Sequence, residues 1–246
     1  MPTESSWACL EAGDHRFVVR GVTGETSPMR PLLALIQGVW ALYPDDALKL
    51  LRHRIGLGPE KTRYDECVAR VAAKRIREQD APPGGTFTDL SAWLSDGLQR
   101  ARNASEALGR PNDGGWEAFV AWCDTLTGDE PPSSLRYQRH RPVGAWLVDA
   151  QGMPILAARN TSGRDRTRHA ELELLLAWYA RERRPLPEGA QIWTSLQSCR
   201  MCAAAIVHAT DAVTPITVRY LHEDSGRLSR DTELQRRGWE QGPFSG

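Results

Sequence analysis

The stretch "SLQSCRMCAAAIVHA", Ser195 to Ala209, places Cys199 and Cys202 two residues apart at the head of a run that reads as a helix. A Cys-x-x-Cys pair serves half of a structural zinc site, a redox dithiol, or part of a catalytic metal centre, and the spacing alone does not choose among them. Their partners must decide. Upstream, His169-Ala170-Glu171 opens the amphipathic run "HAELELLLAWYARERR". Zinc accepts imidazole and thiolate, and a catalytic site keeps three protein ligands with the fourth position open to water. His169, Cys199 and Cys202 are a candidate set of three. Thiolates are favoured at a helix N-terminus, where unpaired N–H groups and the helix dipole stabilise negative charge. Glu171, two residues from the histidine, is then free to carry a proton to and from a metal-activated water.

The segments around these residues alternate. "VGAWLVDA" and "PILAARN" are short strand-like runs joined through Gln151-Gly152, a hairpin signal. A helix follows from His169 and stops at Pro185, Pro187 and Gly189. "QIWTSL" reads as a buried strand, "CRMCAAAIVHAT" as a helix and "PITVRYLHED" as another strand. Strand, strand, helix, strand, helix, strand predicts an α/β layer, with helices packed on a partly parallel sheet.

The preceding residues follow a different pattern. Apolar spacing at three and four residues from Pro31 to Leu57 predicts a helical hairpin, broken at Pro44-Asp45-Asp46. "YDECVARVAAKRIREQD" repeats that spacing. Thr86 to Leu108 predicts a further helix capped at Thr88 or Asp89, and "GGWEAFVAWCDTL" a short one. One early hairpin is expected around "FVVRGVTG". The region 1–130 is therefore expected to be mainly helical, and 131–246 to form a second domain. The Pro-, Ser- and charge-rich "TGDEPPSSLRYQRHRP" is the boundary candidate.

Composition limits the function classes. The 246 residues carry 31 basic and 31 acidic side chains, a balance unlike that of a protein that coats nucleic acid nonspecifically. The two parts of the chain differ, however. Residues 135–246 hold 16 arginines, no lysine and 12 acidic residues, an excess of +4, which leaves −4 for the residues before them. Arginine's planar fork suits phosphate better than lysine's point charge. No apolar run approaches the roughly 20 residues that span a bilayer, and "MPTESSWACLEAGDH" lacks the basic flank and apolar stretch of a secretory signal. A cytoplasmic, reducing setting is expected. Cys9, Cys67 and Cys123 are scattered, which fits buried thiols better than a disulfide framework. Trp40, Trp93, Trp116, Trp122, Trp146 and Trp193 fall at positions expected to be core.

His-x-Glu followed by Cys-x-x-Cys is the signature of zinc deaminases, in which the Glu is a proton carrier and not a ligand. From Arg141 to Asp224, "RPVGAWLVDAQG…LAARN…HAELELL…IWTSLQSCRMCAAAIVHA" resembles the cytidine deaminase-like superfamily, most closely its tRNA adenosine deaminase branch. The resemblance implies a mixed sheet flanked by helices, one Zn2+ per site, and hydrolysis of a ring amine to a carbonyl. It gives His169, Cys199 and Cys202 as metal ligands and Glu171 as the catalytic acid/base. It also matches Asn160 to a residue that hydrogen-bonds the base, Val143 to one lining the base pocket, and His208 to one near the bound nucleotide. That branch usually carries Glu-Pro before the first cysteine, where this chain has Gln197-Ser198; the Ser198 hydroxyl is expected to cap the helix instead.

The expected substrate is a base within nucleic acid, with adenosine in structured RNA leading and cytosine in single-stranded DNA or RNA the alternative, as in toxin-type deaminases. A rival from another class is a deaminase fold that has lost catalysis and serves as a binding protein. Glu171 counts against that rival, because a structural zinc site has no evident need of the carboxylate.

Overall fold

The computed structural model describes residues 6–21, 27–43, 48–54, 59–72, 76–79, 83–127, 141–161, 165–210 and 215–243. Most of the expected boundary segment (128–140), the expected break at 44–46 and part of the arginine run before His169 (162–164) lie outside the described residues.

The chain begins with a hairpin of β1 (Ser6–Ala12) and β2 (His15–Gly21), paired so that Ala12 faces His15 across the two-residue turn Gly13-Asp14. Gly13 has φ of +58°, a conformation glycine adopts without a Cβ clash. The hairpin thus lies earlier than "FVVRGVTG" suggested. Helix α1 (Pro31–Leu42) opens with Pro at its first position and is buried from Pro31 through Trp40. Where a second helix was expected, β3 (Leu48–Arg54) pairs antiparallel with β1. Its leucines have good helix propensity, but cross-strand pairing and the burial of Leu48, Leu51 and His53 override it. Helix α2 (Pro59–Val71) starts earlier than the helical spacing of "YDECVARVAAKRIREQD" suggested and covers only its first half; the expected helical continuation is instead β4 (Ile76–Glu78), which pairs with β3. The short strand β5 (Thr88–Asp89) joins β2, completing a sheet of order β4-β3-β1-β2-β5.

The helices of the first part are therefore accompanied by a five-stranded sheet, which periodicity alone did not reveal. Helix α3 (Trp93–Leu108) starts later than predicted, because the Asp89 carboxylate accepts from the Ser91 N–H at 2.8 Å and forms a turn instead of a helix cap. Helix α4 (Trp116–Asp124) follows.

The second part has the predicted alternation: β6 (Gly144–Val148), β7 (Pro154–Arg159), α5 (Ala170–Glu182), β8 (Gln191–Leu196), α6 (Arg200–Ala209) and β9 (Thr217–His222). A short α7 (Glu233–Arg237) and β10 (Glu240–Gln241) complete it, giving the order β10-β9-β8-β6-β7. β6 runs antiparallel to β7 and β8, whereas β8 and β9 are parallel. The architecture is mixed α/β, two mixed sheets flanked by helices, consistent with a cytidine deaminase-like fold. Among the described residues no helix is long and apolar enough to cross a membrane.

Two layers cover the second sheet. Helix α4 packs against one face through Trp116, Phe119 and Trp122, which meet Trp146 and Trp193. Gly144 permits this approach, since a Cβ there would stand 2.4 Å from the Trp122 ring. Helices α5 and α6 belong to a larger core that continues without a break into α1, α2 and the first sheet. Helix α2 packs on α6 and α3 on α5, and Ser105 of α3 donates its hydroxyl to the Ala157 carbonyl of β7.

Candidate active site

The two helices of the second part start side by side, and the chain delivers one candidate ligand to each start. His169 occupies the N-cap position of α5, with φ −75° and ψ 154°, and its carbonyl accepts the Glu173 N–H at 2.9 Å. Cys199 holds the same position on α6, and its carbonyl accepts the Ala203 N–H at 2.8 Å. Ser198 therefore precedes the cap, and α6 has no side-chain cap. The Cys199 carbonyl and the extended backbone at that residue start the helix without one. Cys202, one turn on, returns to the face occupied by Cys199.

The His169 ring nitrogen Nδ1 lies 3.4 Å from Cys199 Sγ and 3.5 Å from Cys202 Sγ. One donor atom from each of the three residues falls within 4.8 Å of the others. An imidazole and two sulfurs converging at this scale fit zinc, and three protein ligands leave a position for water. The Cys202 thiol donates to Cys199, and with the adjacent imidazole this holds Cys199 well below the usual thiol range. Burial opposes a charged His169 ring, but the neighbouring Cys199 thiolate prevails and raises it to about 9. Cys199 is thus predisposed to the thiolate form that binds metal, whereas burial and the neighbouring Cys199 sulfur hold the Cys202 thiol well above the usual range.

Glu171 lies in the first turn of α5 and is only 3% exposed. Burial raises its carboxyl above the ordinary range, against the opposing pull of His169. It borders a cavity of about 340 Å³ together with His169, Cys199, Val143 and Asn160. A carboxyl of raised pKa at the edge of a small-molecule-sized cavity is suited to taking up and releasing a proton during a reaction there.

The loop ahead of His169 is built of buried hydrogen bonds. Thr167 donates both its N–H and its hydroxyl to Asp165 Oδ1, at 2.9 and 2.7 Å, and the His169 N–H donates to the Thr167 carbonyl at 2.9 Å. The Thr167 hydroxyl oxygen also accepts from Gln37 Nε2 at 3.1 Å, so α1 reaches the ligand loop. Arg168 pairs with Glu173 one turn into α5.

The remaining predicted residues separate. Asn160 joins the strand ends: its Oδ1 accepts the Val143 N–H at 2.9 Å and its Nδ2 donates to the Arg141 carbonyl at 2.8 Å. Both Asn160 and Val143 border the cavity. His208 does not: its Nε2 lies 3.0 Å from the Ser27 carbonyl and its ring 5.9 Å from that of Tyr64, in the contact between α6 and the first part of the chain. Asp224, Ser225 and Arg141 also line the cavity and carry no motif that singled them out. Gln197, the departure from Glu-Pro, accepts the Asp224 N–H at 3.3 Å and donates to Glu240 Oε2 at 3.2 Å, which fixes that side of the rim.

Residues 134–243 match the family model described as Bd3614-like deaminase. A search of curated proteins finds no match. Among solved structures, the chain is similar to one from work on A-to-I editing by tRNA:A34 deaminases at the wobble position of transfer RNA, at 28% identity over 41% of this chain and 77% of that one, with a TM-score of 0.33. The dCMP deaminase of cyanophage S-TIM5, in complex with dCMP and dUMP, matches at 19% identity over 51% of this chain and 94% of that one, with a TM-score of 0.35. The guanine deaminase of Nitrosomonas europaea matches at 17% identity over 67% and 88%, with a TM-score of 0.39. Superpositions this loose add nothing on substrate. The family match falls on the segment that brings Glu171 beside the His-Cys-Cys group, and the chain is accordingly a hydrolytic deaminase whose deaminase domain is similar to the Bd3614-like deaminases.

Proposed function

We propose that this protein removes the exocyclic amine of a base held within nucleic acid, adenosine in structured RNA before cytosine in a single strand. Zinc held by His169, Cys199 and Cys202 is the cofactor of that reading; when bound, it would lower the pKa of a water toward neutrality and so supply the nucleophile for the ring carbon. The observation that carries the proposal is Glu171, buried at the edge of the 340 Å³ cavity beside the three donors.

The protein's own groups then have distinct tasks. The Glu171 carboxylate takes a proton from the attacking water and returns it to the departing amine, which leaves as ammonia. Its raised pKa eases uptake of the proton, and burial keeps bulk water from competing for it. Val143 walls the pocket, and Asn160 holds the two strand ends that form its mouth, at the border of the cavity where the base would enter. A purely structural metal site would leave Glu171 buried and raised with no task, so catalysis is favoured over an inactive binding fold.

The test is incubation of the purified protein and of Glu171→Gln with single- and double-stranded RNA and DNA and with free nucleosides. Sequencing reads A-to-G and C-to-T changes, and ammonia release reads the nucleosides. A signal in a polymer pool that falls on the order of 10²- to 10⁴-fold in the variant, with zinc retained, supports the proposal. Turnover of free nucleosides alone would remove the polymer from it.

A further inference from the structure

A second cavity, of about 210 Å³, opens where α2 meets α6 and α7. Four guanidinium groups line it: Arg63 and Arg70 from α2, Arg200 at the start of α6, and Arg236 in α7. None belongs to the catalytic cavity. Three carboxylates share the lining, Glu66, Asp231 and Glu233, so the formal charge is one positive in excess.

Two of the acids are engaged in aiming the arginines. Asp231 takes Arg236 in a two-pronged pair, at 2.8 and 2.6 Å, and Glu233 pairs with Arg63. Arg200 directs Nε to the Arg230 carbonyl at 2.8 Å, while its Nη2 stands 3.9 Å from Asp231, beyond hydrogen-bond reach. Arg70 is exposed in the last turn of α2. Planar forks held around a small cavity match the oxygens of a phosphate, which accepts from several N–H groups at once.

Its position links it to the reaction. Cys199 lines the catalytic cavity and Arg200, the next residue, lines this one. The segment after β9 also serves both, with Asp224 and Ser225 at the first and Asp231 at the second. Two of the four arginines, Arg63 and Arg70, come from the first part of the chain.

We propose that this groove binds a backbone phosphate of the nucleic acid whose base enters the catalytic cavity; this rests on the polymer reading above. The experiment measures binding of labelled RNA and single-stranded DNA oligonucleotides by fluorescence anisotropy across a salt series, for the parent, Arg70→Gln and Arg200→Gln. Melting temperature and zinc content check that each variant is folded, and Arg70→Gln, away from the metal ligands, serves if Arg200→Gln is not. The expected result is weaker binding by several-fold per arginine and a salt slope shallower by about one for each phosphate that no longer has its arginine. Polymer deamination with parental affinity and slope in both folded variants overturns the groove while leaving the polymer reading intact. A parent that neither binds nor deaminates any polymer, yet turns over nucleosides, overturns both.

Discussion

Gln37 donates its side-chain amide to the Thr167 hydroxyl at 3.1 Å, joining the middle of α1 to the loop that presents His169. Gln37 is the polar residue of an otherwise apolar helix, "PLLALIQGVWAL", and is itself buried. The Thr167 hydroxyl has one proton, which goes to Asp165, so Gln37 supplies the donor that its oxygen can still accept. Gln37→Leu keeps the volume and removes that donor. Zinc affinity is expected to fall by about tenfold, as when a metal ligand is deprived of an outer hydrogen-bond partner. Competition against a chromogenic chelator reads it; parental affinity would mean the loop holds its shape without α1.

The pair Arg30–Asp65 is buried on both sides, with side chains 1% and 4% exposed and two hydrogen bonds of 2.8 Å. Removing one partner leaves a charge in the core without its counterion. Asp65→Ala is expected to cost about 3–5 kcal/mol in unfolding free energy, and Arg30→Met combined with Asp65→Leu much less. Denaturant melts of the single and double variants decide this, and equal destabilisation in the two would contradict it.

Burial pushes the thiols of Cys9 and Cys67 up to about 11 and that of Cys123 to about 12. The thiolate is the reactive form, so a raised pKa slows alkylation at neutral pH and the rate climbs as pH rises toward those values. At pH 8 the thiolate fraction is on the order of 10⁻³ for the first two. Mass spectrometry after iodoacetamide treatment of the folded protein should find these three cysteines at least roughly tenfold slower than in the denatured chain. Equal rates in the two states would show them accessible and unshifted.

The apolar core crosses from the first part of the chain to the second without interruption. Tyr64 lies against His208, and the Ser105 hydroxyl donates to a carbonyl of β7. A fragment of residues 131–246 exposes the faces of α5 and α6 that α2 and α3 cover, and it is expected to aggregate or to bind a hydrophobic dye. Soluble expression of that fragment with a cooperative melt matching the full chain would show the two parts to be independent.

What the sequence by itself determined is local. One helical turn separates Cys199 from Cys202, a histidine and an acid two residues apart sit on the start of another helix, and strands of period two alternate with helices of period 3.6 from Val143 to His222. These features rest on interactions within a few residues of each other. The Gly13-Asp14 turn is equally local, yet the sequence pattern places that hairpin around "FVVRGVTG". Only the tertiary structure decided the rest. Leu48–Arg54 is a strand because β1, some forty residues away, offers it a partner, and its leucines alone read as helix. His208 faces Ser27 and not the pocket, because α6 turns that side toward the first part of the chain. Gln37 meets Thr167 across 130 residues of sequence, and Arg63 meets Glu233 across 170. No periodicity encodes such meetings: they follow from which faces the packed core leaves opposite one another.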